Sequence, residues 1–430
     1  MNLDSQAVEL NNSITAANPA VLAMLSDKGK KIFFPKKGIL SQSAEAAGKE
    51  INATIGTALE DDGSPMALDA LFKQFNVKSK AMFNYAPSPG RPEIRSTWKE
   101  MLFKKNPGLT GKTISSPVVT SALTHGLSMA GYLFLDEGDS IILPDLYWEN
   151  YNLIFSHAFG AKIDTYPTFS GDGYNIDGFE KKLNEGPVGK KVVLLNFPNN
   201  PTGYTVTETE AQKICTILVK AADAGNSLVV LIDDAYFGLV YEKGILAESL
   251  FSTLADAHER ILAVKFDGPT KEDYVWGFRV GFVTFGCKTS SPAFYTALEG
   301  KLAGAIRGNI SNASNVGQTL LTTAYADAGY DAEKQEKFDI LCRRYRKMRD
   351  IFASKTEYAD FFTPLPFNSG YFMCVKVQSG NAEVVREVLL KKYSTGIIAQ
   401  GDVIRIAFSA VPIEKLEKLL GNIYLACKDV

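Results

Sequence analysis

Histidine and cysteine are scarce in this 430-residue chain, with three of the former and five of the latter. Cys215, Cys287, Cys342, Cys374 and Cys427 are dispersed without a CxxC pair, which argues against a disulfide framework or a zinc finger and reads as buried reduced thiols. His125, His157 and His258 make no HExxH or similar pairing, so no metal ligands are assigned and a metal enzyme is not expected. Charge of either sign is not in excess: 46 Lys and Arg against 48 Asp and Glu leave a net −2, and neither nucleic acid nor an anionic membrane is favoured as a partner. No run of 18 apolar residues is present to span a bilayer. The first residues carry neither the basic region nor the apolar core of a signal peptide. A cytoplasmic location is the expectation. Internal repeats and low-complexity tracts are absent as well.

What remains is an ordinary globular composition, 46% apolar and 22% charged, in a chain long enough for two domains. From about residue 115 to 285, short apolar runs alternate with helical periodicity. The runs 140–143, 192–195, 228–232, 261–266 and 280–285 read as buried parallel strands, with crossover helices over 124–135 and 208–224. Thr207 and Glu210 give the second of these helices a capping box. After about 330 the texture changes to a long charge-rich helix over 331–355, an extended segment over 369–377, a helix near 382–392, a strand at 403–407 and a final helix. The predicted class is therefore α/β: a large domain with a mainly parallel sheet flanked by helices, plus a smaller α+β domain. The expected division is an N-terminal segment with part of the small domain over 1–70, the large domain over 71–325, and the rest of the small domain over 326–430. The first 50 residues, polar and rich in Ala and Lys, are expected to wrap onto the small domain or a partner subunit.

Ligands on such sheets bind beyond the carboxyl ends of the strands, and the chemically suggestive residues fall there. Lys271 and Arg279 lie eight positions apart after the run 261–266: an amine suited to holding an aldehyde cofactor, and a guanidinium suited to its phosphate. Asp233 ends an otherwise apolar strand, where a carboxylate is costly unless a cation meets it. Asn200 lies in a Pro- and Gly-rich turn, 196–203, after the preceding strand. Arg405 sits inside an apolar strand and calls for an anion. Each also has a plain structural reading when taken alone: Lys271 as a solvated surface charge, Asp233 as the partner of a surface Lys or a helix cap, 196–203 as a chain reversal.

Taken together and in this order, these residues resemble the fold type I pyridoxal-phosphate-dependent aminotransferases, in particular the aspartate and aromatic amino-acid aminotransferases, from about residue 50 to the C-terminus. The resemblance implies pyridoxal 5′-phosphate as cofactor and a homodimer as the active form. It makes Lys271 the Schiff-base lysine and proton carrier, Asp233 the partner of the pyridine nitrogen, and Tyr236 and Asn200 the donors to the ring oxygen. Trp148, or else Tyr147, stacks on the ring. The phosphate falls to the strand-to-helix turn Ala122, Leu123 and Thr124, to Arg279, and to Tyr85 reaching across from a partner subunit. Two positions depart from the pattern: Ala122 stands where a small hydroxyl or Gly is common, and Gly268 where a Ser usually donates to phosphate. Ser121 or Thr270 is positioned to compensate.

For substrate, the resemblance assigns Arg405, assisted by Asn200, to the α-carboxylate, with Gly56 and Ile55 lining the approach. Arg307 resembles the arginine that binds a side-chain carboxylate from the neighbouring subunit, with Ser311 supporting the phosphate. The implied reaction moves an amino group between an L-amino acid and a 2-oxo acid such as 2-oxoglutarate, with aspartate favoured as donor and aromatic amino acids a close second. Tyr151, where aspartate enzymes often have a His behind the Asp, weakens a strict aspartate assignment. The alternatives are a lyase or synthase acting at Cβ or Cγ, and a non-enzymatic effector sensor built on the same fold. The latter is disfavoured because the first 50 residues lack a basic helix-turn-helix pattern.

Overall fold

A computed structural model describes residues 3–33, 39–76, 80–288 and 291–430. Its central sheet has seven strands: β1 (Val118–Thr120), β2 (Ser140–Pro144), β3 (Lys162–Tyr166), β4 (Lys190–Asn196), β5 (Ser227–Asp233), β6 (Ile261–Asp267) and β7 (Gly281–Gly286). They lie in the order β1-β7-β6-β5-β4-β2-β3. The five strands from β6 to β3 are mutually parallel. They are apolar because they are covered on both faces: Val193, Leu195, Val230, Ile232, Val264 and Phe266 are all buried. The helices Ala122–Phe134 and Glu208–Asp223 supply part of that cover, the latter opened by the Thr207–Glu210 capping box.

The run 280–285 departs from expectation. As β7 it pairs antiparallel with both β6 and β1. The connection 268–280 contains only the single turns Pro269–Glu272 and Trp276–Phe278. It has no crossover helix to return the chain to the far end of the sheet, so the strand runs straight back. Strands β1 and β3 had no clear apolar run to announce them: β1 is three residues long, and β3 (Lys162–Tyr166) is largely polar.

A second, antiparallel sheet contains β8 (Phe362–Pro364), β9 (Met373–Val377), β10 (Ile398–Gln400) and β11 (Val403–Ile406), ordered β8-β9-β11-β10. The long helix Tyr330–Ser354 precedes it, and the helices Ala382–Lys392 and Leu416–Lys428 belong to the same part of the chain. Part of the N-terminal segment joins this sheet. In the helix Ile39–Glu45, Gln42 accepts from Ala399 N–H at 2.7 Å and donates to its carbonyl at 2.9 Å, imitating a neighbouring strand at the β10 edge. Arg386 holds Glu45 at 2.9 Å. Residues nearer the start go elsewhere: Phe33 meets His157 edge-on at 5.4 Å, and Lys28 lies over Phe159 at 5.6 Å. Both aromatic partners lie beside the large sheet, so the first 50 residues divide between the two parts of the chain.

One backbone contact joins the two sheets closely. Gly203 has φ +69, and a Cβ there would lie 1.8 Å from Phe372 O. Its own carbonyl accepts from Asn368 N–H and Ser369 N–H, both at 2.9 Å. No side chain fits, so the turn after β4 is pressed against the start of β9. Gly203→Ala is expected to destabilise the chain by about 1–3 kcal/mol through overpacking, read as a lower urea midpoint at unchanged slope.

Candidate active site

Parallel strands in register deliver their ends to one edge. Asn196, the last residue of β4, is the partner of Asp233, the last of β5, and Asp233 is in turn paired with Phe266 on β6. Asn196 donates to Asp233 O at 2.8 Å and accepts from Asn200 N–H at 2.9 Å, tying the turn 196–203 to the end of β5. The single turn Pro269–Glu272 follows β6 and carries Lys271, whose carbonyl accepts from Tyr371 OH at 3.0 Å.

These ends surround a cavity of about 480 Å³. Asp233 is buried on its floor: Oδ2 accepts from Tyr151 OH at 2.6 Å and Oδ1 from Ala235 N–H at 3.1 Å. Burial raises its carboxyl above the ordinary value, against the opposing pull of Tyr151 and Lys271. The Lys271 amine lies 4.2 Å from the centre of the Tyr236 ring. Burial pushes it down from an ordinary 10.5 to about 8; Asp233 opposes that shift and Arg279 adds to it. The amine is thus a usable base near neutral pH.

At one end of the cavity the helix Ala122–Phe134 begins, with Ala122 at φ +61 and Leu123 and Thr124 in its first turn. The side chain of Ser121 makes no cap hydrogen bond, so first-turn amides remain available for an anion. Arg279 lines the same cavity. At the other end is Arg405, buried in β11, donating to Asn200 Oδ1 at 3.3 Å and to Thr54 O at 3.0 Å, with its guanidinium 4.5 Å from the Phe372 ring centre. Both acceptors are neutral. Among the described residues Arg405 makes no ion pair; Glu149 is the carboxylate that acts on it through space, and the Arg405 Nε has no partner. Trp148 lines the cavity beside Tyr151, at 5.6 Å edge-to-face, whereas Tyr147 does not line it.

Of the residues expected from sequence, Lys271, Asp233, Tyr236, Asn200, Trp148, Arg279, Thr124, Leu123, Ala122, Arg405 and Gly56 line this one cavity. Tyr85 and Arg307 do not. Tyr85 is 88% exposed, and Arg307 donates to Ser311 Oγ at 2.8 Å on the surface. The two belong to one outer region, since Ser88 donates to Ser311 O and Asn315 to Asn84 O, at 2.9 and 2.8 Å. Sequence reading gave no role to Ile39, Ser43, Thr54, Phe372 or Trp276, which also line the cavity. Thr54 and Trp276 lie close in sequence to residues already singled out, Gly56 for the former and Lys271 and Arg279 for the latter. Ile39, Ser43 and Phe372 carried no local signal, because their positions depend on docking against the second sheet.

Residues 49–423 match the family described as aminotransferase class I and II. The chain belongs to that family. Membership makes it an aminotransferase and implies pyridoxal 5′-phosphate as its cofactor. Among curated relatives, a probable aspartate/prephenate aminotransferase of Aquifex aeolicus is 28% identical over 203 residues, 46% of this chain and about half (48%) of that relative. Aromatic-amino-acid aminotransferase 2 of Thermococcus litoralis is 22% identical over 98% of both chains. Among solved structures, an aminotransferase from Anaerococcus prevotii superposes with a TM-score of 0.82 at 25% identity, covering 94% of this chain and 98% of that one.

The cavity of this aminotransferase fits the cofactor. It offers a buried amine to an aldehyde, a buried carboxylate to a protonated ring nitrogen, and an uncapped helix start with a guanidinium to a phosphate. Thr270 Oγ1, buried and without an acceptor, supplies a further orphan polar atom at the wall.

The depressed amine has a consequence for the cofactor-free chain. Below pH 8 it is protonated both folded and unfolded; between about 8 and 10.5 the unfolded chain binds the extra proton, so stability climbs with pH across that window. Lys271→Met is expected to remove this climb, so that the variant's stability differs less between pH 7 and pH 10 than that of the unsubstituted chain. Denaturant titrations at pH 7 and 10 measure it.

Proposed function

We propose that this chain transfers an amino group from an L-amino acid to a 2-oxo acid in two half-reactions. What most supports the reading is the pairing of a low-pKa buried amine, Lys271, with a buried guanidinium, Arg405, that makes no ion pair among the described residues, in one cavity. Arg405 with Asn200 binds the substrate α-carboxylate, the anion that a desolvated guanidinium needs. Lys271 Nζ would hold the cofactor's aldehyde and, when free, would take the proton from the substrate Cα and return it. Asp233, whose charged form Tyr151 and the Ala235 amide favour against the opposing effect of burial, would keep the ring nitrogen protonated. Tyr236 and Asn200 would hydrogen-bond the ring oxygen, Trp148 would stack on the ring, and Gly56 and Ile55 would border the substrate's approach. Ala122, Leu123, Thr124 and Arg279 hold the phosphate. When bound, pyridoxal phosphate supplies the aldehyde that captures the amine and the ring that accepts the electron pair left at Cα.

Aspartate leads as donor and aromatic amino acids follow, with 2-oxoglutarate as acceptor. Curated relatives named for aspartate and for aromatic substrates support carrying both. A homodimer would bring the Tyr85 and Arg307 region of one copy to the cavity of the other; the 88% exposure of Tyr85 and the neighbouring Phe83, 91% exposed, supports such a covered surface. The two-domain division at about residues 70 and 325 is part of the same reading, as is a cytoplasmic setting, supported by five cysteines that are all free.

The test is an absorption spectrum of the purified protein with L-aspartate or L-phenylalanine added without acceptor. A visible band is expected to convert to a near-ultraviolet one and to return with 2-oxoglutarate. Lys271→Ala should abolish the conversion. Arg405→Lys should lower kcat/KM by about 10- to 100-fold through loss of the bidentate contact. Faster conversion by phenylalanine would reverse the donor order, and release of pyruvate or ammonia would indicate elimination chemistry instead.

A further inference from the structure

The anion end of the cavity is poor in side-chain donors. Ala122 has none, and neither has Gly268, where the fold leaves no room for one: a Cβ there would lie 2.9 Å from Gly281 Cα and 3.0 Å from Val280 O. The antiparallel return of β7 creates this crowding, because Gly281 faces Thr120 of β1 and lies against the start of the helix Ala122–Phe134. A serine at 268 is therefore sterically excluded.

The loop that closes this end carries two other donors. Thr270 Oγ1 and Trp276 Nε1 are both buried and both without a hydrogen-bond partner, and both residues line the cavity. Buried N–H and O–H groups are nearly always satisfied, and an orphan costs free energy until an acceptor arrives. Two orphans on one short loop, flanking Lys271 and preceding Arg279, point to a common acceptor. The local geometry keeps them together. Val275 N–H donates to Thr270 O at 3.1 Å, closing the loop between the two residues. Arg279, in the left-handed region at φ 53, folds its guanidinium back to Trp276 O at 3.1 Å. An indole N–H, a hydroxyl and a guanidinium are thus carried on one turn beside the uncapped helix start.

We propose that the cofactor phosphate accepts hydrogen bonds from Trp276 Nε1 and Thr270 Oγ1, and that these two side chains replace the donors missing at 122 and 268. Trp276 is then a phosphate-anchoring residue. The assignment rests on the reading that pyridoxal phosphate occupies this cavity with its phosphate toward Ala122. Both donors are neutral, so they direct the oxygens without altering the charge balance between Arg279 and Asp233.

The experiment titrates cofactor-free full-length protein, by visible absorbance, with pyridoxal phosphate and separately with pyridoxal, the same ring without the phosphate. Trp276→Phe and Thr270→Val are each expected to weaken pyridoxal phosphate about tenfold or more and to leave pyridoxal unchanged, while Thr270→Ser retains the affinity. A thermal midpoint for each variant identifies any that folds poorly, and the other variant then decides. Equal losses for both compounds, or no loss in either variant, would overturn the proposal. If the unsubstituted chain binds neither compound, the cofactor reading itself fails, a result distinct from a phosphate site built differently.

Discussion

A carboxylate buried at the end of an apolar strand is the constraint around which this site is arranged. Asp233 is buried at the end of its strand, and its charge is tolerable only with donors on both oxygens and a cation in reach. Tyr151, the Ala235 amide and Lys271 meet that requirement, and each draws in another element: the segment after β2, the continuation of β5, and the loop after β6. The same low dielectric that makes Asp233 costly lowers the proton affinity of Lys271. One act of burial thus prepares a carboxylate and an amine for opposite roles.

The fold was legible in the sequence wherever burial on both faces left continuous apolar runs. β2, β4, β5 and β6 stand within a residue or two of expectation, and the helix Ala382–Lys392 matches it at both ends. β1 and β3 were not legible, the former too short and the latter too polar for a buried-strand pattern. The direction of β7 was also hidden, because an apolar run says nothing of which way the chain enters it. What settles direction is the missing crossover helix in 268–280, a length argument and not a periodicity one.

In the site, motif residues could be read because their chemistry is conspicuous against their surroundings: a lysine after a strand, an aspartate ending one, an arginine inside one. Ile39, Ser43 and Phe372 are ordinary residues that become part of the cavity only when the second sheet and the N-terminal helix dock, through Gln42 at the β10 edge and Gly203 against Phe372. Tyr85 and Arg307 illustrate the reverse case. Their local strings were informative, yet in a single chain they share an outer region and leave the cavity lined by Lys271, Arg279 and Arg405 as its cations.

The segment bearing Lys271 leaves β6 and returns as β7, and both strands are fixed by adjacent ladder pairs. Between them Tyr371 grips the Lys271 carbonyl, and at the first residue of β7 Gly281 abuts Ala122. Such a segment behaves as a tethered bracket and not as a swinging arm. The reach of the amine into the cavity is then set by rotation about the bonds of its own four-carbon stem. The backbone contributes position, and the side chain contributes reach.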